Sequence, residues 1–301
     1  MYKVVVLLST YNGETYLEQQ IESILAQTER DLFILARDDG STDRTTEILE
    51  SYVAGGRLRW YSGPNLGPEK SFLDLIKNSD EAAYYAFCDQ DAYWHPDKLE
   101  AALRMLEAEP AEQPLLYFGK KRLVDGNLQP LAQDDVYVRT VSYGCALING
   151  VAFGCTMVFN RTVRELFKDF TPHAKYMHDV LLYRTVAAIG RVLYDPVPHM
   201  DYRQHGGNVV GANKSGWQKW SGRFRNLFKR GDDHSRSACA QDILAAFGNR
   251  MSQEDRKLTE QLAFCRQSFG KRLGLLFNPR LTAQKKSDML SWRIFILLGW
   301  I

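Results

Sequence analysis

Cysteine is scarce in this chain of 301 residues. The five present (Cys88, Cys145, Cys155, Cys239 and Cys265) are odd in number and scattered. No two have metal-ligand spacing, and no disulfide framework is implied. A reducing cytoplasm is the simplest setting for such a chain. No secretory leader is expected either. Met1 to Leu8 holds one basic residue and a short apolar run, and polar chemistry begins at Ser9. Long apolar runs are lacking too. Trp292 to Ile301 is interrupted by Arg293 and Gly299, and it is shorter than the roughly 20 residues needed to span hydrocarbon. No internal repeat or low-complexity tract is visible. Two common nucleotide-binding signatures are missing: there is no GxGxxG turn after the first predicted strand, and no GxxxxGK[ST] loop.

Hydrophobic residues make up 45% of the chain, enough for a substantial core and against general disorder. The net charge of +2 hides an asymmetry. From Lys214 onward there are 17 Lys and Arg against 7 Asp and Glu, so the last third is basic and the rest acidic. Either a nucleic acid or an anionic lipid surface would suit a basic third. Between Lys214 and Arg230 there are six basic residues and no acidic one. Trp217, Trp220, Phe224, Leu227 and Phe228 there share one face of a predicted helix. That pattern fits peripheral attachment to an anionic membrane. The same face would also suit packing on the catalytic domain or a homodimer.

Apolar runs predict strands at Lys3–Leu8, Leu32–Ala36, Leu58–Tyr61, Tyr84–Cys88 and Pro114–Lys120. Val151–Phe159 reads as a further strand with a Gly-Cys interruption. Helices are expected at Thr15–Gln27, from Asp43 to about Tyr52, and at Ser71–Lys77, Pro96–Glu107, Arg161–Phe167 and Met177–Ile189. The alternation is that of a mostly parallel sheet built from βαβ units. Glycines at 206, 207, 211 and 216 make residues 201–216 a loop with room to hinge. Helices follow at about Trp217–Phe228, Arg236–Phe247, Glu254–Phe269 and Asp288–Leu298.

In such a sheet, ligands sit in the loops after the strands. One of these loops holds Asp89-Gln90-Asp91, where two carboxylates at i and i+2 can converge on Mg2+ or Mn2+. Such an ion stabilises charge on a departing diphosphate. It could equally be a solvated acidic turn. A second loop holds Asp38 and Asp39, one of which could accept the N3 proton of a pyrimidine base. A plain turn with Asp43 as a helix cap explains that loop as well.

Taken together, Ser9-Thr10-Tyr11-Asn12-Gly13, Asp38-Asp39-Gly40-Ser41-Thr42-Asp43, Asn65-Leu66-Gly67 and Cys88-Asp89-Gln90-Asp91 form a recognisable series. It continues with Gly154-Cys155-Thr156-Met157, His178-Asp179 and Tyr202-Arg203-Gln204-His205-Gly206. The series resembles the family 2 glycosyltransferases over about residues 2–212, and its Cys-Asp-Gln-Asp and Tyr-Arg-Gln-His-Gly segments look most like bacterial rhamnosyltransferases of O-antigen or rhamnan synthesis. The resemblance implies an α/β GT-A nucleotide-sugar-binding fold over 1–212, followed by a basic, amphipathic helical region over 213–301. It implies an inverting, metal-dependent transfer of a sugar, L-rhamnose from dTDP-β-L-rhamnose, or alternatively a hexose from UDP or another nucleotide. The acceptor would be a lipid-linked saccharide at the inner face of the cell membrane.

By position, Thr10 and Tyr11 would border the base, with Asp38 and Asp39 beside it and Asp39 reading its N3 proton. Asp89 would meet the ribose or a metal-bound water, and Asp91 would be the main metal ligand. Asp179 would be the general base. Arg203 and His205 would approach the diphosphate or the metal, His205 as a possible further ligand. One departure stands out: rhamnosyltransferase-like members often carry another Asp after the D-Q-D triplet, and here that position is Ala92.

Other residues read less sharply. Lys70 could approach the diphosphate or simply be solvated. Trp94 could face the acceptor or the core. His178 is expected to be buried, hydrogen-bonded and orienting Asp179. Cys155 reads as packing, since no base is placed for it. A nucleotidyltransferase would want a basic, Gly-rich loop after the first strand, and Thr10 to Glu14 has no basic residue. A non-catalytic saccharide-binding protein would not need Asp91 and Asp179 together. No nucleic-acid motif supports a nucleic-acid partner for the basic third.

Overall fold

The computed structural model describes residues 2–132, 138–204 and 235–301. His205, the glycines from 206 to 216, the boundary at 212 and the expected helix at Trp217–Phe228 lie outside the described residues. In chain order the elements begin with β1 (Tyr2–Thr10), α1 (Leu17–Leu25), β2 (Leu32–Asp38), α2 (Thr45–Val53), β3 (Leu58–Ser62) and α3 (Pro68–Asn78). Next come β4 (Ala82–Asp89), β5 (Tyr93–Trp94), α4 (Lys98–Leu106), β6 (Leu115–Val124) and α5 (Tyr143–Ile148). They continue with β7 (Met157–Asn160), α6 (Arg161–Phe167), α7 (His178–Ile189) and β8 (Arg191–Arg203). The last helices are α8 (Ser235–Phe247), α9 (Gln253–Ala263), α10 (Phe269–Leu276) and α11 (Lys286–Leu298).

Two compact units divide these elements. The first holds residues 1–136, 151–171 and 177–203, the second 137–150, 172–176 and 204–301. The first unit is an α/β fold around one eight-stranded sheet in the order β3-β2-β1-β4-β7-β6-β8-β5. Strands β3, β2, β1 and β4 are parallel neighbours, as the βαβ rhythm predicts. Strand β7 then runs antiparallel to both β4 and β6, so the sheet is mixed. Val4 to Leu8 are fully buried, as expected of a central strand covered on both faces. Val6 lies opposite Ile34 on one side and Ala86 on the other.

Local chemistry sets the element ends. Gly67 precedes α3 with a φ of 75°, and Pro68 opens the helix where its missing N–H costs nothing. The Asn160 side chain caps α6 at the Val163 N–H, and its amide also donates to the carbonyls of Ala111 and Gln113.

Two expectations need correction in this unit. Residues 151–153 are not a strand, and Gly154–Thr156 form a 3-10 turn before β7. The turn is drawn toward α7: the Gly154 N–H donates to Asp179, and a Cβ at Gly154 would lie 2.6 Å from His178 Nε2. Residues 201–203, read as loop, complete β8. Its Asp-Pro-Val-Pro stretch hides the pattern, because Pro has no donor for the ladder. The register shifts around Lys120 absorb the interruption: Gly119 pairs with Asp195 and Lys120 with Pro198.

The second unit is helical. Helices α8 and α11 fall where expected. The single helix expected at Glu254–Phe269 is instead α9, a 3-10 turn at Cys265–Gln267, and α10. Helix α5, not anticipated, is buried along its whole length and capped by Ser142. All five cysteines are buried free thiols.

Gly190 ends α7 and starts β8 against the chain at Pro114. A Cβ there would sit 2.1 Å from the Pro114 carbonyl oxygen, which accepts the Arg191 N–H. Gly190→Ala is therefore expected to destabilise the chain by about 1–3 kcal/mol. Urea unfolding of both proteins measures it, and equal midpoints would show that the junction yields freely.

Candidate active site

Parallel register brings the acidic loops to one edge. Thr10 lies opposite Asp38, and Ser9 opposite Asp89, so the loops after β1, β2 and β4 leave the sheet side by side. The first two loops are laced together. Asn12, in the left-handed region at φ 47°, accepts the Thr42 N–H on its side chain, and its own N–H donates to Ser41 Oγ. The Gly13 N–H donates to Thr45 Oγ1 and the Glu14 N–H to Asp43. Asp43 thus ties the loops together and also accepts the Thr45 N–H at the start of α2.

Asp38 is buried and occupied with the loop. It accepts the N–H groups of Gly40 and Ser41 at 3.1 and 3.0 Å and the hydroxyls of Ser41 and Thr10. Thr10 is buried with it, whereas Tyr11 is 48% exposed. Asp39 accepts the N–H groups of Leu66 and Gly67 and pairs with the buried guanidinium of Arg37. Arg37 also reaches Asp74 at 2.9 Å and the Pro64 carbonyl. Sequence reasoning passed over Arg37, although a charged residue at the end of the apolar run Leu32–Ala36 was a signal. Lys70 is exposed in the first turn of α3.

Gln90 was also passed over. Its amide spans 79 residues of sequence, accepting the Tyr11 N–H at 2.8 Å and donating to the Tyr11 carbonyl at 3.0 Å. That is the pairing of a peptide group supplied by a side chain. Gly13 leaves room for it, since a Cβ there would lie 2.3 Å from Gln90 Oε1.

Asp89 is the electrostatic centre. Removal from water, then the charges of Asp91 and Asp179, push its pKa up to about 7. The three carboxylates therefore share one region. Lys98 lies buried close by, donating to the Cys155 carbonyl at 3.0 Å with its ammonium 3.3 Å from the Trp94 ring centre. Burial brings the Lys98 pKa down to about 8. Trp94 is thus a core residue and not an open face for an acceptor. Ala92 is buried as well. Burial also raises the Cys155 thiol well above its ordinary range, in keeping with a packing role.

Asp179 stands in the first turn of α7, where the helix dipole favours a carboxylate, and accepts the Gly154 N–H at 3.1 Å. His178 beside it is buried, but neither ring nitrogen has a hydrogen-bond partner among the described residues. The expected hydrogen bond is replaced by an aromatic cage, with Phe72 and Phe87 at centroid distances of 4.1 and 4.9 Å. Arg203 ends β8 with its guanidinium 4.4 Å from the Tyr16 ring centre and a hydrogen bond to Gln19. The charges of Asp91 and Asp201 act on it there.

Among the described residues no three His, Cys, Asp or Glu side chains are arranged to hold a metal ion. Two carboxylates nonetheless suit Mg2+ or Mn2+, which usually take one or two from protein and the rest from phosphates and water. The like-charge crowding at Asp89 is the observation that fits a cation beside it.

Burial lowers the His178 pKa to about 4. The unfolded chain, with an ordinary histidine near 6.5, then binds more protons between those values, so this residue's contribution to stability falls as pH falls from about 6.5 to 4. Asp89 acts with the opposite sign over the same window. The difference between wild type and His178→Leu isolates the histidine: the variant is expected to lose up to about 3 kcal/mol less over that range. Urea unfolding at pH 7, 5.5 and 4.5 tests it, and parallel pH profiles would rule it out.

Comparisons with known proteins identify the fold and the family. The "Glycosyl transferase family 2" model matches residues 5–166, more than half of the chain. A dTDP-rhamnosyl transferase of Shigella flexneri, RfbG, is 33% identical over 248 residues, covering 74% of this chain and 81% of that protein. Among solved structures, S. aureus TarS 1-349 in complex with UDP-GlcNAc matches 99% of this chain and 80% of its own, with TM-score 0.61 and 20% identity. The mannosyltransferase PcManGT from Pyrobaculum calidifontis, in complex with GDP-Man and Mn2+, matches 98% of this chain and 87% of its own, with TM-score 0.51 and 15% identity. The two solved structures share the fold with this chain. From its matched residues, and from a relative one-third identical over most of both sequences, this chain belongs to glycosyl transferase family 2.

Proposed function

We propose that this chain transfers a sugar from a nucleotide donor by a single, inverting displacement, with Asp179 as the general base and a divalent ion at Asp91 and Asp89. The observation that carries the reading is the meeting of Asp89, Asp91 and Asp179 beside the interlaced loops after β1 and β2. That the chain is a glycosyltransferase using a nucleotide-sugar donor and a saccharide acceptor follows from its family.

The chemistry divides among the residues. Asp39, buried and held by Arg37 and two backbone N–H groups, would read the base of the nucleotide, and exposed Tyr11 would border that base. Asp179 would take the proton from the acceptor hydroxyl as that oxygen attacks the anomeric carbon. The Gly154 N–H on Oδ2 and the Val180 N–H on Oδ1 fix its direction. His178 is a positioning residue that anchors the start of α7 in the aromatic cage. Arg203 would place positive charge near the leaving diphosphate. A divalent ion shared between Asp91, Asp89 and that diphosphate would offset the charge growing on the leaving group.

For the donor, a UDP-hexose or another nucleotide sugar is better supported than dTDP-β-L-rhamnose alone. RfbG is named for dTDP-rhamnosyl transfer, while the TarS and PcManGT structures hold UDP-GlcNAc and GDP-Man. A rhamnosyl donor of β configuration would yield an α linkage. The acceptor is proposed to be a lipid-linked saccharide met at an anionic membrane, a reading that rests on the basic final third. No helix among the described residues is long and apolar enough to cross a membrane.

Asp179→Asn is expected to lower transfer about a hundredfold or more while nucleoside diphosphate affinity changes little. Steady-state rates and calorimetric binding check both halves, and turnover near wild type would place the base elsewhere. A panel of dTDP-, UDP- and GDP-sugars, each assayed with EDTA and then with Mg2+ or Mn2+ restored, tests donor and metal together. The expected result is activity with one nucleotide class, lost on chelation and regained with the ion. Full turnover by a verified metal-free preparation would eliminate the metal.

A further inference from the structure

Helices α10 and α11 in the second unit pack on each other, yet each leaves large apolar side chains in solvent. On α11 these are Leu290, Ile294, Leu297 and Leu298, a spacing of four, three and one that keeps them to one face. The buried side of the same helix is carried by Trp292 and Ile296. Phe269 and Leu273 of α10 and Phe277 just beyond it repeat at steps of four, and the two phenylalanines are 69% and 74% exposed. Exposed apolar residues in such numbers on two adjoining helices mark an interaction surface, since scattered ones would need no account.

A second feature of this unit bears on the charge of the partner. A cavity of about 690 Å³ opens at the N-terminal end of α11, lined by Arg139, Lys285, Lys286, Arg280, Ser142 and Thr282 among others. Arg280 is paired with Glu254 and Asp255. Arg139, Lys285 and Lys286 are exposed and have no carboxylate partner among the described residues. The nearby Asp288 accepts from Asn149. No side chain caps the N-terminus of α11, so its N–H groups and dipole add to the attraction for an anion. Lys286 lies one turn before Leu290, on the face that carries the apolar stripe.

We propose that the outer faces of α10 and α11 insert into an anionic lipid monolayer, with the cationic cavity taking a headgroup phosphate. Apolar side chains enter the acyl boundary while the flanking cations hold phosphate at its surface, the two contributions that bind an interfacial helix. This deepens the reading of a membrane-borne acceptor and gives it a surface distinct from residues 214–230.

Because all native cysteines are buried, one exposed cysteine can be labelled selectively. Ile294→Cys carrying an environment-sensitive fluorophore is mixed with phosphatidylglycerol vesicles or with phosphatidylcholine vesicles. Lys257→Cys, exposed on α9, is the control. The label at 294 should brighten and shift to the blue with phosphatidylglycerol only, and the label at 257 should not. Adding Arg139→Ala, Lys285→Ala and Lys286→Ala should weaken the response roughly a hundredfold, as for three basic residues at an anionic surface. Donor consumption without vesicles should stay unchanged in this variant, which separates the surface from the reaction. Co-sedimentation with no change at 294 would overturn the proposal, since another surface would then hold the lipid. So would a label at 294 already shielded in a concentration-dependent dimer without vesicles.

Discussion

Burial of Asp89 beside the charges of Asp91 and Asp179 is the constraint on which the acidic edge of the sheet depends. Three carboxylates meet where water is partly excluded, and the first consequence is a proton affinity far above that of an ordinary aspartate. Their surroundings limit the cost. A buried lysine lies close by, and its electrostatic effect on Asp89 is favourable. A helix N-terminus faces Asp179, and Arg203 senses Asp91.

Rigidity comes from hydrogen bonds between loops that are distant in sequence. Gln90 ties the D-Q-D turn to Tyr11, Asn12 and Asp43 tie that loop to the one after β2, and Arg37 ties the latter to α3 through Asp74. Several residues that look like ligands are therefore parts of the frame. Asp38 and Thr10 have their polar atoms turned into the loop, Asp39 is held by Arg37 and two backbone N–H groups, and Tyr11 is exposed beside Thr10. Holding a site by side-chain bonds to fixed backbone keeps its geometry within the narrow tolerance that group transfer needs.

The helical unit follows a different logic. Its described helices keep apolar and cationic groups in solvent, among them Phe269, Phe277, Leu290, Lys285 and Lys286. The apolar run from Trp292 was visible in the sequence. Which of its residues face inward was not, because Trp292 and Ile296 are buried by packing partners that lie far away along the chain.

The sequence by itself determined the parallel half of the sheet, the helices between its strands, and the acidic loops at their ends. Continuous apolar runs and Gly-Asp-Asn turn chemistry are local signals, and they were enough to put the loops that carry Asp38, Asp39, Asp89 and Asp91 at strand ends. Tertiary structure alone decided which polar residues support them. Burial of Arg37, the Gln90 clamp, the Lys98 bond to the Cys155 carbonyl and the unbonded ring of His178 each depend on partners dozens of residues away, and no local pattern encodes such a pairing. The same holds for β8. Its prolines mask the strand until β6 accommodates them by shifting register, because a strand's hydrogen bonds are supplied by its neighbour and not by its own sequence.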